Sequence, residues 1–205
     1  MAGKKIGDWQ KARRLLPQVD RAYRVALMEA VEQEAQYFVR KVKTCFKTSG
    51  KSNGAKWAPN SPLTIGRKGS SKPLINSGDL MGAITVKKVA PRVFLAGVPS
   101  NVRTKDGKSM VSIGQVHEEG RVIVMKITPK MHRFVMASLN KLGGKKGGGT
   151  GAFRPGGTLV IKIPQRSFLQ STKDAHFQDS ATERRVKNRI SMKLRTQFGN
   201  LVEVK

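Results

Sequence analysis

The side chains best equipped for chemistry in this chain are three histidines, one pair of adjacent acids and a single cysteine. His117-Glu118-Glu119 sets an imidazole beside two carboxylates, the materials of a zinc site or of acid–base work. It lacks the second histidine of a zinc-protease helix, and His132 and His176 have no companions at ligand spacing, so no metal site is expected. On an extended strand Glu118 and Glu119 would point to opposite sides. They are then no carboxylate pair, and no nucleophile with a base and an orienting acid accompanies them. Gly50-Lys51-Ser52 looks like the end of a phosphate-binding loop, but the leading glycine of that motif falls at Cys45. Gly147-Gly148-Gly149-Thr150-Gly151 lacks the flanking strand and helix of a dinucleotide fingerprint. The sequence therefore predicts no catalytic, cofactor or metal residues.

Charge points to a partner. The 40 Lys and Arg against 13 Asp and Glu give a net charge of +27, which repels itself and attracts polyanions. No acid occurs between Glu34 and Asp79 or between Glu119 and Asp174, so the expectation is either one broad basic surface or a solvated basic exterior with no single target. Aromatic stacking platforms and nucleic-acid-binding signatures are lacking, so any nucleic-acid contact would run through backbone charge. The lone Cys45 rules out an internal disulfide and falls on the apolar side of a helix, as a small buried thiol. Neither a secretory signal nor a membrane span is read in the sequence, and a cytoplasmic setting is expected.

The elements that must position these residues follow from periodicity. Val19, Tyr23, Ala26, Leu27, Ala30, Val31, Phe38, Val42 and Cys45 predict a long amphipathic helix over 16–46, with Pro17 in its first turn. Residues 47–73 read as an extended loop anchored by Trp57 and Leu63, and Ser77-Gly78-Asp79-Leu80 as a turn. A hairpin is expected over 84–89 and 93–98 around Ala90-Pro91, a loop over 101–108, and a short element over 111–116. Over 121–128 a strand should bury Ile123, Met125 and Ile127, and another strand resumes at 159–163. Residues 129–158 read as a flexible basic insertion, glycine-dominated from Leu142 to Gly157. Ala181, Val186, Ile190, Leu194 and Phe198 mark a second helix over 179–198, stopped by Gly199. The sum is an α+β chain, read as a single domain over 1–205: a long N-terminal helix, an antiparallel sheet with long loops and a C-terminal helix.

Three signatures lie between the two helices: Leu74-Ile75-Asn76-Ser77-Gly78-Asp79-Leu80, Gln115-Val116-His117-Glu118-Glu119-Gly120, and Ile163-Pro164-Gln165-Arg166-Ser167-Phe168-Leu169. With Trp57 and Pro59, and in this order, they resemble the phage virion morphogenesis family, the tail-completion and neck proteins of tailed bacteriophages. The likeness runs from the first helix to Phe168 and departs from the family pattern between Arg121 and Pro164 and in the high charge. It implies a non-enzymatic homo-oligomer, a ring at the head-tail junction that contacts neighbouring neck or tail proteins and leaves room for DNA contact in the channel. The place implied is the virion, and the host cytoplasm during assembly, with no membrane. On this reading Trp57, Leu74, Ser77, Gly78, Leu80, His117, Gly120, Arg166 and Phe168 are candidates for subunit or partner contact. For Ser77, Gly78 and His117 a role in the fold itself is the plainer expectation; for Arg166 and Phe168 core packing and contact weigh equally. The rival reading is a basic nucleic-acid-binding protein of ribosomal type, which the charge and basic loops would also suit.

Overall fold

The computed structural model describes residues 9–90, 93–141 and 153–199. In chain order the elements are α1 (Trp9–Lys47), a 3-10 turn (Lys51–Asn53), α2 (Pro62–Lys68), α3 (Asp79–Ala83), β1 (Thr85–Ala90), β2 (Val93–Gly97), α4 (Met110–Glu119), β3 (Arg121–Lys126), α5 (Pro129–Lys141), β4 (Thr158–Ile163), α6 (Leu169–Phe177) and α7 (Ser180–Phe198). The class is α+β with the two expected terminal helices.

Several local expectations change. Helix α1 is already under way at Trp9, so Pro17 lies in its interior rather than its first turn. The bond from position 17 to the Arg13 carbonyl is lost. Both residues are exposed, so solvent can satisfy that carbonyl. The 47–73 segment is not wholly extended: Ser61 caps α2 by accepting from the Thr64 amide at 3.3 Å, and Pro62 opens the helix. Trp57 anchors this segment as expected, while the Leu63 side chain lies outside the described residues.

His117, Glu118 and Glu119 end a helix, not a strand. Ser109 accepts from the Ser112 amide at 3.4 Å to start α4, and Gly120, at φ 75°, turns the chain directly into β3. The basic 129–158 segment begins with α5, whose first turn is capped by Thr128 accepting from the Met131 amide at 3.2 Å, with Pro129 at the helix start. Of the expected glycine-rich arm, residues 142–152 lie outside the described residues. Residues 153–157 form a turn in which the Gly156 amide donates to the Ile127 carbonyl and the Ile127 amide to the Gly157 carbonyl, both at 2.8 Å.

In place of one sheet there are two separate antiparallel ribbons. In the first, Thr85 faces Gly97 and Lys87 faces Leu95, on either side of Pro91, which lies outside the described residues. In the second, Arg121 faces Ile163 and Lys126 faces Thr158. The expected inner face of β3 holds: Ile127 is buried and Ile123 and Met125 are half-buried, while Val122 and Val124 are exposed.

The core gathers at the C-terminal end of α1. Val39, Val42, Cys45 and Phe46 meet Trp57, Leu80, Ile84, Met110 and Phe168. Phe46 packs edge-on to Trp57 with centroids 5.7 Å apart and tilted against Phe168 at 4.9 Å. Cys45 is buried as expected, and burial pushes its thiol up to about 11. Helix α7 runs back antiparallel along α1, pairing Arg185 and Arg189 with Glu34 and Lys193 with Glu29.

Candidate functional site

The segment from Gln165 to Gln170, which runs into the start of α6, is threaded between two other segments, and the second and third sequence signatures meet there beside Trp57 and Pro59. On one side the Arg166 amide donates to the His117 carbonyl at 2.7 Å. On the other, the Trp57 indole N–H donates to the Ser167 carbonyl at 2.9 Å. The Arg166 guanidinium donates through Nε to the Ala58 carbonyl and through Nη2 to the Pro59 carbonyl, both at 3.1 Å, and through Nη2 to Asn60 Oδ1 at 3.3 Å. Asn60 in turn donates to the Ser71 and Lys72 carbonyls, each at 3.2 Å. A single buried arginine thus fixes the path of the 58–72 segment by satisfying carbonyls that no helix or strand would reach.

Glu118 holds the same segment from the other side. Its carboxylate accepts from the Ser167 hydroxyl at 2.6 Å and from the amides of Phe168, Leu169 and Gln170 at 2.9, 3.1 and 2.8 Å. These amides are the unpaired donors at the start of α6, whose own capping position, Phe168, has no side chain able to accept them. An anion there also faces the positive end of the helix dipole. Gly120 lets the two chains approach: a Cβ on it would lie 2.9 Å from the Gln165 nitrogen, and its φ of 75° disfavours any other residue.

The remaining candidates fall around this junction. Phe168 is fully buried and Leu80 buried in the core, so both side chains pack within the subunit, as does Trp57. Leu74, at φ 57°, packs partly buried against the core. Ser77 and Gly78 are not part of the junction. They build the entry to α3, Ser77 donating to Asp79 Oδ2 at 2.6 Å and Gly78 adopting φ 87° at the cap.

Leu74, His117 and Arg166 share a groove of about 770 Å³ with Lys68, Asn76 and Lys162. His117 leaves its buried Nδ1 without a hydrogen-bond partner. Burial, then the nearby Arg166, lowers its pKa, and the same two causes lower that of Lys68. Among the described residues no carboxylate lines the groove, so it holds no carboxylate pair. It can accommodate an acidic or carbonyl-bearing group.

A second polar cluster, which periodicity alone did not single out, joins α1 to α7. Glu34 is buried and takes Arg185 Nη2 at 2.7 Å, Arg189 Nη1 at 2.5 Å and His176 Nε2 at 3.3 Å. Burial alone would raise its pKa, but the hydrogen bonds from Arg185 and Arg189 hold it below the usual value. Arg185 also lies 4.6 Å over the Tyr37 ring and 3.6 Å from Asp179. The signal for Glu34 was an acid on the apolar stripe, one turn after Ala30. Glu118 gave no such signal, because its ligands lie about fifty positions downstream in the chain.

Among the described residues, no group of three or more His, Cys, Asp and Glu could hold a metal ion, and no helix is long and apolar enough to cross a membrane. Set against known protein families, curated proteins and solved structures, the chain matches none of them.

Proposed function

We propose that the chain is a structural subunit of the phage head-tail junction, assembling as a ring that completes the tail or neck and joins it to the capsid, without enzymatic activity. One observation carries the reading: two of the three signatures that resemble the phage virion morphogenesis family, with the Trp57–Pro59 stretch, converge on a single junction. Trp57, His117, Gly120, Arg166 and Phe168 fix how three distant stretches of chain cross. Residues that act together to define a fold are what a family signature should record. The charge fits an assembly subunit as well, because an acidic partner ring or DNA in the channel would compensate it. Most described acids already have partners inside the chain, such as Glu29 with Lys193 and Glu183 with Lys187.

The test is the mass of the nucleic-acid-free protein by light scattering across salt concentrations, with and without purified tail tubes. A discrete ring-sized species, or a monomer that forms rings only on tail tubes, is expected. A protein that remains monomeric with tail tubes and binds nucleic acid stoichiometrically, with a steep salt dependence, would replace this reading by that of a basic nucleic-acid-binding protein.

A further inference from the structure

Two apolar surfaces are left uncovered by the described residues, and they lie at opposite ends of α1. The first is the helix itself before Ala22. Trp9, Ala12, Leu16, Val19 and Tyr23 repeat at helical spacing on the stripe that continues as the buried Ala26 and Ala30 under α7. Trp9 is 59% and Leu16 66% exposed. The cations of this stretch, Arg13, Arg14, Arg21 and Arg24 among them, project to the side or back of the stripe, while Asp20 stands at its edge.

The second surface is the outer face of the β3–β4 ribbon. The register sets Val122 opposite Lys162, Val124 opposite Val160 and Lys126 opposite Thr158 on one face. Val122, Val124 and Val160 are 59%, 65% and 51% exposed. Among the described residues β3 and β4 pair only with each other. A two-stranded ribbon is marginal alone, and an exposed apolar face on one invites a partner.

These surfaces complement each other better than either complements itself. Two ribbon faces placed together would oppose Lys126 and Lys162 from both copies, with no acid anywhere between Glu119 and Asp174 to offset them. The helix stripe brings no cation to its centre, and Asp20 at its rim is paired with Arg24 at 2.8 Å, so the stripe adds no net positive charge opposite the ribbon's lysines. The ribbon leaves the body at Gly120 and Pro164, beside the Phe46 and Trp57 end of α1. The exposed stripe is therefore roughly 45 Å away along the helix, at 1.5 Å per residue. A contact between opposite ends of identical chains is head-to-tail, the kind that closes into a ring when its rotation permits.

We infer that the exposed stripe of α1 in one copy seats on the valine face of the β3–β4 ribbon of the next. The inference rests on the ring reading above and names the two surfaces that make its subunit contact. Each surface offers a few hundred Å² of apolar area, less than the roughly 800 Å² per partner of a stable pairwise interface. Single contacts should thus be weak and the closed assembly favoured over isolated dimers.

The experiment uses the full chain with Leu16→Arg and Val124→Arg, both at exposed positions, and with circular dichroism to verify unchanged helix content. Wild-type protein at high concentration, or on tail tubes, is expected to form rings, and each variant alone is expected to remain monomeric. Mixed one to one at high concentration, each variant supplies the surface the other lacks, so a weak head-to-tail dimer is expected and nothing larger. As a second readout, chains with Leu16→Cys and chains with Val124→Cys should form a mixed disulfide under mild oxidation, whereas neither should cross-link with itself. Cys45 is buried and does not compete. Assembled wild type with either arginine variant still assembling, or with no mixed disulfide, overturns this contact and leaves the ring reading standing. Self-cross-linked Leu16→Cys chains would assign the stripe to a symmetric pair instead. A variant that loses thermal stability without any change in mass would assign its surface to cover within the same chain. Wild type that is monomeric both alone and on tail tubes overturns the ring reading and the contact with it.

Discussion

Replacing Glu118 by Ala removes four acceptor contacts at once, and the structure gives a scale for the loss. The carboxylate serves three amides at 2.8 to 3.1 Å and the Ser167 hydroxyl at 2.6 Å. Loss of a helix N-cap costs about 1 kcal/mol and up to about 2. A charge at the helix N-terminus contributes about 0.3–1 kcal/mol, and the stranded Ser167 hydroxyl about 1 more. These contributions share one group and do not add in full, so we expect about 3 kcal/mol. For a chain of this size that corresponds to a melting temperature lower by about 6–12 °C. Glu118→Gln keeps an acceptor oxygen but not the charge and should lose about half as much. The neighbouring Glu119 is exposed and, among the described residues, bonds only Gln115 Nε2 at 3.1 Å, so Glu119→Ala should change stability by less than about 0.5 kcal/mol. Thermal and urea unfolding of the three variants in parallel provide the assay. A Glu118→Ala variant within about 0.5 kcal/mol of wild type, or equal to Glu119→Ala, would refute the assignment of Glu118 as the cap of α6.

Further expectations concern the same junction and the α1–α7 seam. Arg166→Met leaves the Ala58 and Pro59 carbonyls and Asn60 Oδ1 without their donor and should cost roughly 3 kcal/mol, with proteolysis inside 58–72 as the visible consequence; unchanged cleavage there would count against the clip. Gly120→Ala places a Cβ 2.9 Å from the Gln165 nitrogen at φ 75° and should destabilise by roughly 2 kcal/mol or more in urea, whereas Gly54→Ala meets open space and should cost only its backbone strain of about 1. Acid should weaken the fold in two stages. His117 and His176, held below the usual 6.5 chiefly by burial, bind fewer protons folded than unfolded, so stability falls as pH drops below 6.5. Glu34, held below 4.5, contributes stability that is present above that value and lost as pH falls through its folded value. His176→Phe should flatten the upper stage and Glu34→Gln the lower; a urea midpoint constant between about pH 7 and 5 would contradict the first.

The two terminal helices were legible because their apolar positions repeat over many turns, and the strands near 85–97 and 121–127 because they alternate. The helices that escaped share a cause. Ser61, Ser109 and Thr128 each cap one, and two of them precede a proline at the helix start. Pro62 and Pro129 stand in the first turn of their helices, where proline is well suited. Gly120 was visible as a fixed point but not as the end of a helix, since Gly114 interrupts the short apolar run of α4. Of the candidate residues, Trp57 stood out by type as the anchor of its segment, whereas Arg166 and Phe168 were singled out only by the family resemblance. The capping role of Glu118 was not readable locally, because the amides it accepts from lie in another segment. Helix α6, whose capping position Phe168 has no side-chain acceptor, was invisible for the same reason.

The crossing of distant segments also has a consequence for synthesis. Trp57 meets its carbonyl partner 110 positions later in the chain. At translation rates of roughly 5–20 residues per second, the aromatic end of α1 therefore stays uncovered for about 5–20 s after it leaves the ribosome. Throughout that interval Phe46 and Trp57 are a surface for chaperones, and a transcript cut short before Phe168 would yield a chain that never closes. A nascent-chain length series probed by protease should show protection of the first half arriving in one step, only once Phe168 and the first turn of α6 have emerged.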